Sequence, residues 1–347
     1  LRSAWTVFAP FLGLLAITAL FALLTGQPKF SAPAYPRPMA WLLGWAATPE
    51  GLANSTFLTA ENWRLIAVQS VVVGIAALGM TLIMIAGGID LSVGSAVALI
   101  TVAVAVLVRD HAWALPAAMA AGVMVGMLCG LVNGALITAL GVVPFIITLG
   151  SMKVFRGLAK WASSSTQVYL PRGSKPWWLD RVLAADPTPS WLTLAPGVWA
   201  LLGLAVLLAL VLRYTLLGRY IYAIGSNEAT ARLCGLNVPG IKLTVYALAG
   251  AAFGIAGVMQ MIFLNGEGDP VTADGLELQV IAAVVIGGGS LSGGEGTVLG
   301  TLIGCLIMSV LNNGCVHAGI SNASQDVIIG LIIVAAVTLD RLRRRGG

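Results

Sequence analysis

Residues 64–86 read RLIAVQSVVVGIAALGMTLIMIA, a run with one charge, Arg64, at its start and only Gln69, Ser70 and Thr81 as polar side chains within it. Each helical residue rises about 1.5 Å and the hydrocarbon core of a bilayer is about 30 Å thick, so roughly 20 such residues span it. Working outward from this run, comparable stretches lie near 5–25, 91–108, 113–138, 143–160, 197–214, 240–264, 276–288, 296–314 and 324–340. The expected fold is an all-α polytopic membrane protein of about ten transmembrane helices, forming one domain over 1–347. The stretch at 276–288 is short and bounded by glycine. A broken crossing of that kind is tolerated only where protein or a wet cavity covers the freed backbone groups.

Composition supports this reading. Of 347 residues, 58% are hydrophobic and 10% charged, with mean hydropathy +0.94, against the quarter-charged composition of soluble domains. The 42 glycines suit membrane helices, which approach closely through small residues. Net charge is +5, but the basic residues are scattered except for Arg341, Arg343, Arg344 and Arg345. That distribution argues against a nucleic-acid partner and for a cytoplasmic anchor on anionic lipid headgroups. Cys129, Cys234, Cys305 and Cys315 share no C-x-x-C spacing, and His111 and His317 form no paired ligand motif, so neither a disulfide framework nor a metal centre is expected. The first stretch is longer than a signal peptide's apolar region and lacks an A-x-A site, so it reads as a helix.

Three polar segments interrupt the apolar pattern. Residues 26–63 and 161–196 are rich in proline and tryptophan, which block long helices and favour the headgroup zone; both are expected as loops on the outer, periplasmic side. The basic residues at the two faces nearly balance. The C-terminal patch and the even number of spans place both termini in the cytoplasm.

The third segment, 218–239, reads GRYIYAIGSNEATARLCGLNVP. Ser226 or Asn227 can cap a helix start, Glu228 suits the positive end of its dipole, and Gly235 can close it in a left-handed turn. A helix of two turns is marginal alone, so it is either an ordered linker or a docking element, with the small Ala229 and Ala231 permitting close approach. The segment resembles the coupling loop in the permease subunits of bacterial ABC importers for monosaccharides of the ribose, xylose, arabinose and galactose type. Other strings carry the same resemblance: Gly79 to Leu82 followed by Gly87-Gly88-Ile89-Asp90-Leu91-Ser92-Val93-Gly94-Ser95, Pro144 to Gly150, Val284 to Gly294, Gly300 to Gly304, and Leu311-Asn312-Asn313-Gly314. It runs from about residue 60 to the end.

The resemblance implies a type II, vitamin B12 importer-like permease fold in the bacterial cytoplasmic membrane. It implies a second permease subunit, identical or homologous, cytosolic ATPase subunits that bind ATP and Mg, and a periplasmic or lipid-anchored sugar-binding protein. The chain itself is expected to hold no cofactor and to catalyse no reaction. Coupling to the ATPase would fall to Ser226, Asn227, Glu228, Ala229, Ala231, Arg232, Gly235 and Asn237. Asp90 follows the Gly87-Gly88 break and directly precedes the third stretch, where its oxygens can cap exposed N–H groups or take part in solute passage. Gly287 to Gly296 lacks the lysine of a phosphate-binding loop and reads as a turn; its GG-x-x-L-S-x-G pattern recurs at 87–94, with Gly287 and Gly288 marking a second break. The uncharged Gln69, Asn133, Gln260, Asn312 and Asn313 are either interhelical hydrogen-bonding groups or a weakly polar path lining, with Phe145 beside Pro144 as a gate. Two alternatives differ in class: an ion-coupled secondary transporter, and an ABC permease for a nucleoside or branched-chain amino acid.

Overall fold

The computed structural model describes residues 2–25, 56–171, 173–187 and 192–345. Its helices are α1 (Arg2–Thr25), α2 (Ala60–Ile85), α3 (Val93–His111), α4 (Leu115–Leu140), α5 (Pro144–Ala162), the short α6 (Leu179–Val182), α7 (Pro196–Tyr214), α8 (Leu216–Ser226), α9 (Glu228–Leu233), α10 (Val238–Phe263), α11 (Leu276–Ile286), α12 (Val298–His317) and α13 (Asn322–Arg345). Each of the ten apolar stretches falls on a helix. Six of these, α2, α3, α4, α7, α10 and α12, are long and apolar enough to cross a membrane. Of the loop expected over 26–63, residues 26–55 lie outside the described residues.

Helix α2 is the centre of the bundle, buried along most of its length and packed by α7, α10, α11 and α12. Its Thr81 hydroxyl meets that of Thr301 on α12 at 2.8 Å, and Leu201 of α7 lies over Gly74.

The most extensive helix–helix contact is α4 with α10. Glycines recur every fourth residue along α4, at Gly122, Gly126, Gly130 and Gly134, and face Tyr246, Gly250, Gly254 and Val258. A Cβ placed on Gly126 would lie 2.5 Å from the Gly254 Cα, so the two backbones pack at a distance only glycine permits. Two residues along, at about 200° round the helix, Met124, Leu128, Val132, Leu136 and Leu140 are all exposed. One face of α4 is a protein contact and the opposite face is apolar surface, as a helix between bundle and lipid requires.

The weak stretch at 276–288 has a distinct structure. Helix α11 has only 11 residues, and the non-helical segment 265–275 runs before it along α3. Several of its backbone groups are paired by the surrounding protein. Gly268 pairs with Val168 through bonds of 2.8 and 2.9 Å, and Asp269 N–H donates to the Thr101 hydroxyl at 3.2 Å. Arg156 of α5 donates to the carbonyls of Pro270 and Thr272 at 3.1 and 2.7 Å and lies 3.7 Å from Asp274. Irregular backbone inside an apolar bundle needs such partners. Arg156 is a half-buried brace for this segment.

Two glycine turns close α2 and α11 in the same way. Gly87 and Gly88 donate to Met84 and Ile83; Gly288 and Gly289 donate to Val285 and Val284. Gly87 at φ +80° and Gly288 at φ +89° occupy the left-handed position, the Schellman pattern of helix termination. The sequence repeat pairs Gly87 with Gly287, whereas the structural equivalent of Gly87 is Gly288, one residue later.

Candidate functional site

A cavity of about 300 Å³ opens between α2, α10, α11 and α12. Its polar lining is Gln69, Gln260, Gln279, Ser309, Asn312 and Asn313; its apolar lining is Val72, Val73, Phe263, Ala273, Leu276, Met308 and Val316. No charged side chain is among these residues. Helical spacing assembles the wall: Gln69, Val72 and Val73 share one face of α2, and Met308, Ser309, Asn312, Asn313 and Val316 one face of α12. Gln260 is held by a 2.9 Å bond from its Nε2 to the Thr272 hydroxyl, which joins α10 to the irregular segment. Amides and one hydroxyl interspersed with apolar groups suit a neutral, hydroxyl-rich solute with C–H faces.

The cavity brings together Gln69, Gln260, Asn312 and Asn313, four of the residues singled out in the sequence, and adds Gln279 and Ser309. The other two candidates for the path lie elsewhere. Phe145 is 45% exposed on the first turn of α5, away from the cavity. Asn133 is buried beside Asp90, donating to its Oδ2 at 3.1 Å and to the Ser92 hydroxyl at 2.9 Å. Asp90 Oδ1 accepts from the Ser92 N–H and hydroxyl at 2.7 and 2.6 Å. It therefore holds the residue that precedes α3 rather than the N–H groups of the first turn, and it ties this junction to α4. The Asn133 Oδ1 and the Tyr246 hydroxyl are buried without a protein partner.

The segment at 218–239 contains two helices. Helix α8 turns Gly218, Ile221 and Ile224 inward, so the first half of the expected loop is packed structure. Asn227 then caps α9, its Oδ1 accepting from Thr230 N–H at 2.9 Å; Ser226 ends α8. Gly235, at φ +81°, closes α9 as expected. Glu228 bonds Arg232 and Lys242, each at 2.7 Å, pinning α9 to α10. Partial burial pushes the Glu228 carboxyl up, but hydrogen bonds from Lys242 and Arg232 outweigh this and hold it below the ordinary glutamate value. Ala231 is buried against Ile224 and Val238 and cannot receive a partner: on so short a helix it supplies the inward face. Ala229 is exposed, as is Leu233, with 89% of its surface open; Asn237 caps α10 by accepting from Gly240 N–H at 3.2 Å.

Gly225, at the end of α8, lies against both glycine turns. Its Cα is close to Gly87, the carbonyl of Ile85 and the N–H of Gly294, and the Tyr222 hydroxyl donates to the Gly296 carbonyl at 2.8 Å. The helix pair α8–α9 is thereby seated on the end of α2 and on the turn entering α12.

Comparison with known proteins agrees with this geometry. The family described as "Branched-chain amino acid transport system / permease component" matches residues 63–337. The ribose import permease protein RbsC of Escherichia coli (strain K12) is 38% identical over 297 residues, covering 84% of this chain and 89% of the relative. The D-allose transport system permease protein AlsC of the same strain is 35% identical over 291 residues, covering 84% and 86%. The L-arabinose ABC transporter permease protein AraH of Azospirillum brasilense is 36% identical over 289 residues, covering 83% and 82%. With its apolar helices, neutral amide cavity and matching span from residue 63 onward, the chain belongs to this family of multi-pass membrane transport permeases.

Proposed function

We propose that this chain is the transmembrane subunit of a carbohydrate ABC importer and that the amide-lined cavity between α2, α10, α11 and α12 is part of the route for a monosaccharide. The carrying observation is a cavity with several amides and no charged group in a chain whose relatives are named for ribose, allose and arabinose. A branched-chain amino acid would bring an ammonium and a carboxylate into a wall with no counter-charge, which is costly. An ion-coupled carrier would need an ionisable relay along the route, and none lines this cavity.

On this reading the ten helical stretches cross the bacterial cytoplasmic membrane as a type II, vitamin B12 importer-like permease. Both termini and the 218–239 segment face the cytoplasm, and 26–63 and 161–196 face outward. A second permease, identical or homologous, completes the path. Cytosolic ATPase subunits bind ATP and Mg and dock on α9 around Ala229, Leu233 and Arg232, and a periplasmic or lipid-anchored protein delivers the sugar. Motion of α9 passes through Gly225 to both glycine turns, which support it physically because backbone contacts there leave no slack.

Uptake of labelled ribose, allose and arabinose by cells expressing the chain with a cognate ATPase and sugar-binding protein tests the reading. ATP-dependent uptake of at least one is expected. Accumulation by the purified chain alone, driven by a proton or sodium gradient, would overturn it.

A further inference from the structure

We propose that Asn62 and His317, neither of which lines the cavity, dictate which end of the Asn313 amide faces the solute; the functional half of this proposal rests on the transport reading above. The order of hydrogen bonds is set by one backbone carbonyl. Asn62 Nδ2 lies 2.9 Å from the Phe57 carbonyl oxygen, which can only accept, so this end of the Asn62 side chain must be its NH2. The same Nδ2 lies 3.1 Å from the nearer atom of the Asn313 amide, which must therefore be the oxygen. Both hydrogens of Asn62 are then committed. Its Oδ1, 3.1 Å from His317 Nε2, must accept, so the imidazole carries its proton on Nε2.

Donation therefore runs in one direction, from His317 to Asn62 to Asn313. With its oxygen turned to Asn62, Asn313 presents the NH2 end of its amide to the cavity it lines. Amide orientation is ordinarily ambiguous; here the Phe57 carbonyl removes the ambiguity for all three side chains.

The surroundings hold the relay in place. Asn62 and Asn313 are 6% and 4% exposed. Phe57 is fully buried, and its ring meets the His317 imidazole edge-on with centroids 6.0 Å apart. The consequence is a cavity wall that offers a donor at Asn313, matched to a hydroxyl or ether oxygen of the solute.

Uptake of the same three labelled sugars by the complete transporter tests the relay. Asn313→Leu and Asn62→Leu should each slow uptake by about three- to tenfold, the range spanned by one neutral hydrogen bond, and the double variant should be no slower than the slower single one. Gln at 317 places an N–H at the reach of Nε2 whereas Asn does not, so His317→Gln should keep the rate and His317→Asn should match Asn62→Leu. Wild-type uptake in Asn62→Leu, or losses that multiply in the double variant, would overturn the proposal.

A second measurement is independent of any sugar. The chain has two histidines, so in ¹⁵N-histidine-labelled full-length protein in lipid nanodiscs the His317 Nε2–H resonance is assignable with His111→Gln. It should be protected from exchange, lost in Asn62→Leu and kept in Asn313→Leu; an Nε2 without a proton, or a proton unaffected by Asn62→Leu, would overturn the relay. If the wild type carries none of the three sugars, the transport reading fails and the nitrogen-bound proton still decides the relay.

Discussion

The backbone N–H of Gly294 donates to the carbonyl of Ile85 at 2.9 Å, fastening the turn that enters α12 to the last residue of α2. Gly225, which precedes the α9 cap, is wedged against both partners of that bond. Three glycine-containing segments far apart in sequence thus meet under one short surface helix. The contacts are backbone on backbone, with no flexible side chain between them.

Gly225→Ala should disrupt this junction. A Cβ there would stand 2.6 Å from the Gly294 nitrogen and closer still to the Ile85 carbonyl, and neither is a flexible side chain. Overpacking of this kind costs about 1–3 kcal/mol. Lower melting temperature of the purified protein and loss of ATP-coupled uptake are expected; a variant that melts and transports like wild type would show that the junction has slack.

Glu228 should act as an acid-sensitive pin between α9 and α10. Its carboxyl is held below the ordinary value, so the stabilisation it contributes is complete above about pH 4.3 and is lost as pH falls through the lower folded-state value. Glu228→Gln should reproduce at neutral pH what acid does to wild type: faster hydrogen exchange at the amides of α9, with the bundle unaffected. The pair with Arg232 is largely solvent-exposed, so added salt should weaken the effect. Equal exchange in variant and wild type would show that α9 is held by Ala231 packing alone.

Gly130 and Gly150 should respond in opposite ways to the same substitution. A Cβ on Gly130 would collide with the Tyr246 carbonyl and lie 2.9 Å from the Gly250 Cα, while one on Gly150 meets nothing within 4 Å. Gly130→Leu should separate α4 from α10 and prevent recovery of folded protein from membranes; Gly150→Leu should be recovered at wild-type yield. Equal yields would contradict the close α4–α10 seam.

Arg156 should be replaceable by neither Met nor Lys. Its Nη1 donates to two carbonyls while its Nη2 lies 3.7 Å from Asp274, a fixed fork that a single ammonium does not reproduce. Each orphaned carbonyl costs about 1–3 kcal/mol, so both variants should lower the melting temperature and increase proteolysis within 265–275. A stable Arg156→Met would show that the segment is held by Thr101 and Val168 without it.

Much of this was legible from local pattern. Apolar length placed the ten long stretches, because a residue in hydrocarbon must be apolar wherever the helix lies in the bundle, while the short α6 and α8 left no such mark. The polar pair Ser226–Asn227, with Glu228 and Gly235, located α9, because caps and left-handed terminators act within a few residues of the helix they bound; only the structure chose Asn227 as the cap. The uncharged amides were recognisable as exceptions within apolar runs. Their partition was not: periodicity cannot tell that Asn133 turns to Asp90 while Asn313 turns to a cavity, and Phe145 beside a proline break has the same local signature whether it lines a path or faces outward.

The amino-acid sequence by itself determined the helical membrane architecture, the positions of its breaks and the absence of charge from most of its crossings, since each follows from desolvation and backbone hydrogen bonding over short stretches. Only the tertiary structure decided which breaks meet. It brought Ile85, Gly225 and Gly294 together, set Arg156 against a segment more than a hundred residues away, and ordered His317, Asn62 and Asn313 into a directed chain of donors. Such contacts depend on how helices pack across long sequence separations, where the deciding quantities are the closeness of backbones and the pairing of single polar atoms, neither of which leaves a periodic trace in the chain.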